Sequence, residues 1–456
     1  MYNAYYMIND NRKYDTSGLN GNGRGMFTPG NIAMLQKLFV TLGAAALVMG
    51  LIFVGAVIGR RGTTATQSGA TDVSGVASLV GSVSTPTPTV PYEVPEYLTD
   101  SELSLAMWGE LTPAAEPIQI EHVPVRGIYI GAAANLEANF QLAENSQIDS
   151  FVIDLKEAEG VLYDTSNSLA LSTSAVYGNY NLTSVCEQCH EHGIRVIGRI
   201  VCFKDPNLAE SHPELAIRDS AGNVLYFNSE GGHAFLDPYN SDNWEYLISL
   251  AEEAIGMGVD EIQFDYMRFP TGSATSGNSP YYGLEGTVPE KHEAINRFIR
   301  TARVRIQDTL GVPLSCDVFG IIVTSDLDGS ILGQDWASIG LAGEDSVCPM
   351  IYPSHYALGT MIGYVTFDKP DLQPYDVMLA VLSQGSYAWR QEGYCVVRPY
   401  VQAFTASYIG AGNYMDYDYT AINDQIRAIQ DAGLEEYILW NAVAIYPTGN
   451  YGGNAG

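Results

Sequence analysis

Basic residues are scarce in this chain. Its 456 residues include 22 Lys and Arg against 52 Asp and Glu, a formal net charge of −30. Residues 1–61 hold six of the basic residues and two of the acidic ones, so the remainder carries 16 against 50, a net of −34. A surface of that sign repels nucleic acid and anionic lipid headgroups, and it argues against phosphate-rich substrates. Three enzyme signatures are also missing. No serine sits in a Gly-x-Ser-x-Gly elbow, no His-Glu-x-x-His pair is present, and no Gly-x-Gly-x-x-Gly loop occurs. Neither a metal nor a cofactor is expected. Cysteine is sparse, at six residues. Cys202, Cys316 and Cys348 fall with Ile200, Leu314 and Met350 on the predicted helix-facing sides of strands, where cysteine acts as a small hydrophobe. Cys186-Glu-Gln-Cys-His190 matches a haem-attachment pattern, with His192 nearby. It lies within a predicted helix, however, where Val185, Cys186 and Cys189 form an apolar face, so it reads as core; a Cys186–Cys189 disulfide stays open.

Tyrosine is abundant, at 30 residues, and its flat apolar face with a polar tip suits sugar rings. Leu38 to Ile58 is a run of 21 residues without a charge, long enough to cross about 30 Å of hydrocarbon. It exceeds the apolar core of a signal peptide and no small-x-small cleavage site follows it. A single-pass membrane anchor is expected at residues 38–58, after a short tail at 1–37. Residues 62–122 are expected to form a low-complexity stalk and linker, stiffened by the prolines of Ser84–Pro91. Arg12, Lys13, Arg24 and Lys37 lean towards a cytoplasmic N-terminus. The globular part, residues 123–456, then lies outside the cytoplasm at the cell membrane.

That globular part alternates strand and helix signals. The strands are expected around Gly127–Gly131, Phe151–Lys156, Arg195–Asp205, Asp260–Pro270, Pro313–Gly320, Ser346–Tyr356, Val396–Gln402 and Glu436–Asn441. Helical segments separate them, which predicts an α/β chain folded as a (β/α)8 TIM barrel. An open doubly wound sheet would carry a glycine-rich phosphate loop after its first strand, and Gly131-Ala-Ala-Ala-Asn135 is not one.

The fourth strand is the most informative. Gln263 and Asp265 share one face while Ile262, Phe264 and Tyr266 share the other, and Pro270 ends the ladder. A carboxylate at the carboxyl end of a barrel strand is where such folds place their chemistry. Polar groups end nearly every other strand as well: Asp154 and Lys156, Lys204 and Asp205, Asp317, Tyr352 and His355, Gln402, and Trp440 with Asn441. Carboxylates supported by amides and aromatics are the equipment of glycoside hydrolysis, in which one carboxylate attacks or activates water and another protonates the leaving oxygen. Each assignment has a structural counterpart. Arg268 orients a carboxylate or pairs at the rim, and His355 binds substrate with Tyr352 or closes a Pro-Ser-His turn. Asp205 and Asp237 reach the pocket or start Asp-Pro turns, and Trp440 faces either the lumen or the helices.

Five ordered segments carry a resemblance: Arg199–Pro206, Leu236–Tyr239, Asp260–Pro270, Pro349–Tyr356 and Leu439–Asn441. Together they resemble the glycosyl hydrolase domain family of bacterial, often surface-anchored proteins, over roughly Val123 to Pro447. The resemblance implies a TIM barrel acting on a polysaccharide or cell-wall glycan. It also implies Asp265 as nucleophile and Asp317 as acid/base, although related amylase-like barrels carry Glu at that second position. Gln402-Ala-Phe404 lacks the acidic residue that the resemblance places after the glutamine. The competing expectation is a catalytically silent, carbohydrate-binding or cell-wall-associated barrel.

Overall fold

The structure, a computed structural model, describes residues 100–452 except residue 285. The apolar run at 38–58 and the stalk up to residue 99 lie outside the described residues. Among the described residues, no helix is long and apolar enough to cross a membrane.

Eight parallel strands close into a barrel: β1 (Arg126–Gly131), β2 (Ser150–Glu157), β3 (Arg195–Val201), β4 (Glu261–Asp265), β5 (Leu314–Phe319), β6 (Ser346–Ile351), β7 (Tyr400–Gln402) and β8 (Tyr437–Trp440). Consecutive strands are neighbours, and β1 pairs with both β2 and β8, so the barrel has no free edge. All eight expected strands are present. Strands of a parallel barrel are covered on both faces, which is why they read as nearly continuous apolar runs. Phe151, Val196, Ile262, Phe264, Val347 and Leu439 belong to the layer between sheet and helices. Val152, Ile197, Tyr352, Tyr400, Ile438 and Trp440 belong to the lumen.

One expectation about strand faces is corrected. Cys202 and Cys316 lie on the helix side, but Cys348 and Met350 belong to the lumen. In β6 it is Val347 and Ile351 that meet the helices. Cys348, Met350 and Tyr352 follow the period of two inward. The lumen is apolar at that level, so hydropathy alone assigns the wrong face.

Local chemistry sets the helix boundaries. Asn181, Asn240 and Asp418 each accept a first-turn backbone N–H, starting Leu182–Glu191, Ser241–Gly256 and Tyr419–Asp431. Gly193, at φ 69°, follows the end of the first. Cys186 and Cys189 of that helix are buried free thiols, each pushed up to about 12 by burial.

The linker expected over residues 62–122 is already docked on the barrel from Asp100 onward. Asp100 bonds Arg297 and Arg300 of helix Lys291–Arg303. Ser101 caps a helix, Glu102–Trp108, and Trp108 packs on Tyr239 and Trp244 with ring centroids 6.3 and 5.1 Å apart. After Gly109 the strap descends to the barrel floor, where His122 bonds Asp345 at 2.8 Å and also bonds Glu436. Burial opposes a charged imidazole there, but the two carboxylates outweigh it and push His122 up to about 10. The docking groups come from helices and strands far along the chain, which a reading of local composition does not see.

The same floor holds Arg398, which is completely buried. It donates to Glu261 at 2.5 Å, Glu436 at 2.8 Å and Ser346 at 3.0 Å, while Arg195 approaches Glu261 at 3.2 Å. Removing one partner from a buried network leaves the others charged and unpaired. Arg398→Met is therefore expected to lose roughly 3–5 kcal/mol of stability in urea titrations. Arg305→Met breaks an exposed pair with Glu245 and Glu252 and is expected to lose at most about 1 kcal/mol.

Candidate active site

Strand alternation brings four charged side chains together at the carboxyl ends of β2 to β5: Asp154, Arg199, Asp265 and Asp317. Asp154 and Arg199 face each other in register, and the ladder between β2 and β3 slips immediately afterwards, between Asp154 and Lys156. Such irregularities re-aim side chains and terminate pairing. Arg199 is the hub. Its Nη1 donates to Asp154 Oδ1 at 2.6 Å and to Glu157 Oε1 at 3.2 Å. Its Nε and Nη2 donate to Asp265 Oδ2 at 3.0 and 2.6 Å, and Nε lies 3.9 Å from Asp317 Oδ2. Tyr129, from β1, donates its hydroxyl proton to Asp154 Oδ2 at 2.5 Å. Burial disfavours the guanidinium charge, but Asp265, Asp154 and Glu157 outweigh it and hold Arg199 firmly protonated.

The two aspartates that end β4 and lie in β5 have unequal surroundings. Asp265, 4 % exposed, takes both Arg199 bonds on Oδ2 and the Tyr266 backbone N–H on Oδ1 at 2.6 Å. Tyr266 holds φ at 51°, a left-handed conformation that costs a bulky residue of order 1–3 kcal/mol. Asp317, 1 % exposed, has no hydrogen-bond partner for Oδ1 among the described residues. Its Oδ2 lies 3.4 Å from the Tyr400 hydroxyl, which is 2.7 Å from Gln263 Oε1. A phenol has one proton to give; committed to Gln263, it leaves an oxygen that a protonated Asp317 can donate to. Burial, followed by the charge of Asp265, raises the Asp317 pKa well above the usual carboxylate range.

Residues 123–446 match the family model described as "Putative glycosyl hydrolase domain". The chain belongs to that family. No curated protein sequence matches it. Among solved structures, a hypothetical protein from Ruminiclostridium thermocellum is 38% identical, with 42% of this chain and 97% of that one covered, at a TM-score of 0.37. The PgaB (BpsB) glycoside hydrolase domain from Bordetella bronchiseptica is 12% identical over 71% of this chain and 95% of its own, at a TM-score of 0.49. Alpha-L-fucosidase isoenzyme 2 from Paenibacillus thiaminolyticus is 14% identical over 71% of this chain and 47% of its own, at a TM-score of 0.45.

In this glycosyl hydrolase-like barrel the sequence-nominated residues divide into three groups. Asp154, Gln263, Asp265 and Asp317 come together in the lumen. Tyr352, His355 and Trp440 join Phe404 in an aromatic group beside them. Tyr352 lies 5.0 Å from His355 and 5.8 Å from Trp440, and Trp440 lies 5.3 Å from Phe404, measured between ring centroids. Trp440 therefore faces the lumen, and burial lowers His355 to about 4.

The third group holds structure elsewhere. Lys156 and Asp205 are ion-paired at 3.0 Å, and Asp205 also caps helix Pro206–Ser211. Asp237 accepts the Tyr239 N–H in a turn, where burial raises it to about 6. Gln402 ties Ser354 to Asp371, and Asn441 braces a turn through Ala403 and Ile445. None of these five bonds Asp154, Asp265 or Asp317. Arg268 forks onto Glu230 at 2.8 and 3.1 Å and lies over the rings of Tyr266 and Phe319. Burial opposes ionisation of Glu230, but Arg268 and Thr271 prevail and bring it to about 2. Lys204 lies over the Tyr266 ring at 5.1 Å, with burial lowering it to about 8.

Arg199, Glu157, Tyr129 and Tyr400 are the site members that sequence reasoning did not nominate. A signal for Arg199 was present: Ile197 and Arg199 share a face, so a guanidinium two residues beyond a lumen side chain has to enter the lumen.

The raised Asp317 carboxyl carries a stability consequence with a defined sign. Its folded value lies above its unfolded value of about 3.9, so its contribution is complete below that range and is lost as pH rises towards the folded value. Within that window each pH unit costs the parent about 1.4 kcal/mol. Asp317→Asn is expected to be more stable than the parent at neutral pH. In unfolding titrations the advantage should shrink steadily as the pH is lowered towards 4.

Proposed function

We propose that this protein is a glycoside hydrolase that cleaves a polysaccharide or cell-wall glycan, with Asp265 as nucleophile and Asp317 as general acid/base. The observation that carries this reading is the unequal pair. Asp265 receives three N–H bonds suited to an anion, whereas Asp317 is buried with an unbonded oxygen and a raised pKa. Two carboxyls with divergent environments are the arrangement that acid and nucleophile roles need. The facing oxygens of both aspartates lie within 3.0 and 3.9 Å of the same Arg199 Nε. Their separation cannot exceed the sum of those distances, which leaves only the lower edge of the roughly 6.5–9.5 Å span of inverting pairs. That bound admits the roughly 5–5.5 Å spacing of retaining pairs, and retention of configuration is the outcome expected of the pair.

In the first step an Asp265 oxygen bonds to the anomeric carbon as the glycosidic C–O bond breaks. The bonding pair leaves with the oxygen, which takes the proton of Asp317. In the second step Asp317 removes a proton from water, the water oxygen bonds to the anomeric carbon, and Asp265 is released. Phe404, half-buried beside Tyr352 and Trp440, offers a face for a sugar ring. The uncharged run at 38–58, followed by the proline-bearing stalk, supports anchoring at the membrane with the barrel on the extracytoplasmic side.

The near-complete burial of both aspartates favours a second reading, a barrel that binds glycan without cleaving it. A glycan screen with the purified full chain separates the two. Under the enzymatic reading, Asp265→Asn and Asp317→Asn each lose about 10²–10⁴-fold in turnover, and proton NMR of the first product shows the anomeric configuration retained. On an aryl glycoside whose leaving group needs no protonation, Asp317→Asn should keep the rate of the first step. Parental activity in Asp265→Asn would remove it from the nucleophile role. Glycan retention without reducing-end release, in parent and variants alike, would establish the binding reading.

A further inference from the structure

We propose that Arg199 is the positioning residue that assigns the two carboxylate roles: its guanidinium fork holds Asp265 as the anion and leaves Asp317 as the acid. The inference deepens the glycosidase reading and rests on it for the names of the roles, but the charge arrangement can be tested without a substrate.

The geometry is asymmetric in a way that a single positive charge would not be. A planar guanidinium presents its donors in fixed directions, unlike the rotating ammonium of lysine. Here one edge, Nε and Nη2, is committed to Asp265 Oδ2, and Nη1 is committed to Asp154 and Glu157. Asp317 faces only Nε, at 3.9 Å, beyond hydrogen-bond reach. The fork therefore stabilises three carboxylates directly and the fourth only through space.

The other groups facing this cluster do not reverse that division. From β1, Tyr129 donates to Asp154. Lys156 of β2 is turned to Asp205 and to the Val201 carbonyl. Cys202, which follows β3, is buried on the helix side, where burial raises its thiol. From β7, Tyr400 is shared between Gln263 and Asp317, and from the floor Arg398 is engaged by Glu261 and Glu436. The arrangement also serves the moment after proton transfer. When Asp317 has given its proton to the leaving oxygen, its new charge stands beside Nε while Asp265, now bonded to the sugar, no longer needs the fork.

The test reads carboxyl protonation directly, by infrared titration of the full chain carrying ¹³C-labelled aspartate. The carbonyl stretch of a protonated side chain is assigned by its loss in Asp317→Asn. In the parent, one protonated aspartate, Asp317, should persist at neutral pH. In Arg199→Lys, which keeps the charge but not the fork, the titration of a second aspartate should move to higher pH than in the parent. Its midpoint should lie higher by about one pH unit or more, a tenfold change in proton affinity, and Asp265→Asn in the same background should abolish it. The acid limb of kcat/KM on any cleaved glycan should move upward by the same amount. Arg199→Met should shift both further.

Aspartate titrations of Arg199→Lys that superimpose on those of the parent would overturn the proposal. So would a shifted second aspartate titration that survives Asp265→Asn. If the titrations behave as expected while no glycan is cleaved by the parent, the role of Arg199 in dividing the charges stands and the glycosidase reading fails.

Discussion

A closed sheet forces every second side chain of each strand into one lumen, and a lumen shielded from water tolerates charge only where opposite charge meets it. This barrel meets the constraint with two arginines. Arg398 at the floor is matched by Glu261 and Glu436, and Arg199 at the carboxyl end is matched by Asp154, Glu157 and Asp265. Between them lie Ile197, Cys348, Tyr400 and Ile438, an apolar layer that keeps the two ionic levels apart. At the upper level Asp317 lies 3.9 Å from Arg199 without a hydrogen bond to it, and burial, followed by the charge of Asp265, raises its pKa.

The loops that frame the upper level are unequal. The connections after β3 and β4 are long and braced against each other. Phe227 bridges to Ala274, the Tyr281 N–H reaches the Arg218 carbonyl, and Glu230 joins Arg268 and Thr271 in one buried knot. Tyr266 begins that wall immediately after Asp265, and its left-handed backbone is held in place by the packing around it. The carboxyl ends of β6 to β8 supply aromatic rings instead, from Tyr352, Phe404 and Trp440. Charge and support thus lie on one side of the upper level and aromatic rings on the other.

Much of this was legible along the chain. The eight strands announce themselves through apolar runs ended by glycine, proline and polar residues. The alternation around Gln263 and Asp265 fixes which face of β4 is polar. Other parts were not legible. Lys156, Asp205, Gln402 and Asn441 stand at strand ends like catalytic groups, yet their bonds brace loops and helix caps, because a polar group at a strand end serves a turn as readily as a site. Cys348 and Met350 have the hydropathy of a helix-facing residue but lie in a lumen that is itself apolar at that level. The strap from Asp100 to His122 has no local signature of order, since Arg297, Arg300, Asp345 and Glu436, the groups that hold it, are contributed from elsewhere.

Local sequence determined the period-two faces, the helix caps and the order of the strands, because these depend on residues within a few positions of one another. Barrel closure decided the rest. Only when β2, β3, β4 and β5 stand side by side does Arg199 meet four carboxylates more than 40 residues away along the chain in either direction. The division of charge between Asp265 and Asp317 is a property of that meeting. No single strand contains it, because a pKa is set by burial and by neighbours through space, and both are supplied by the tertiary fold.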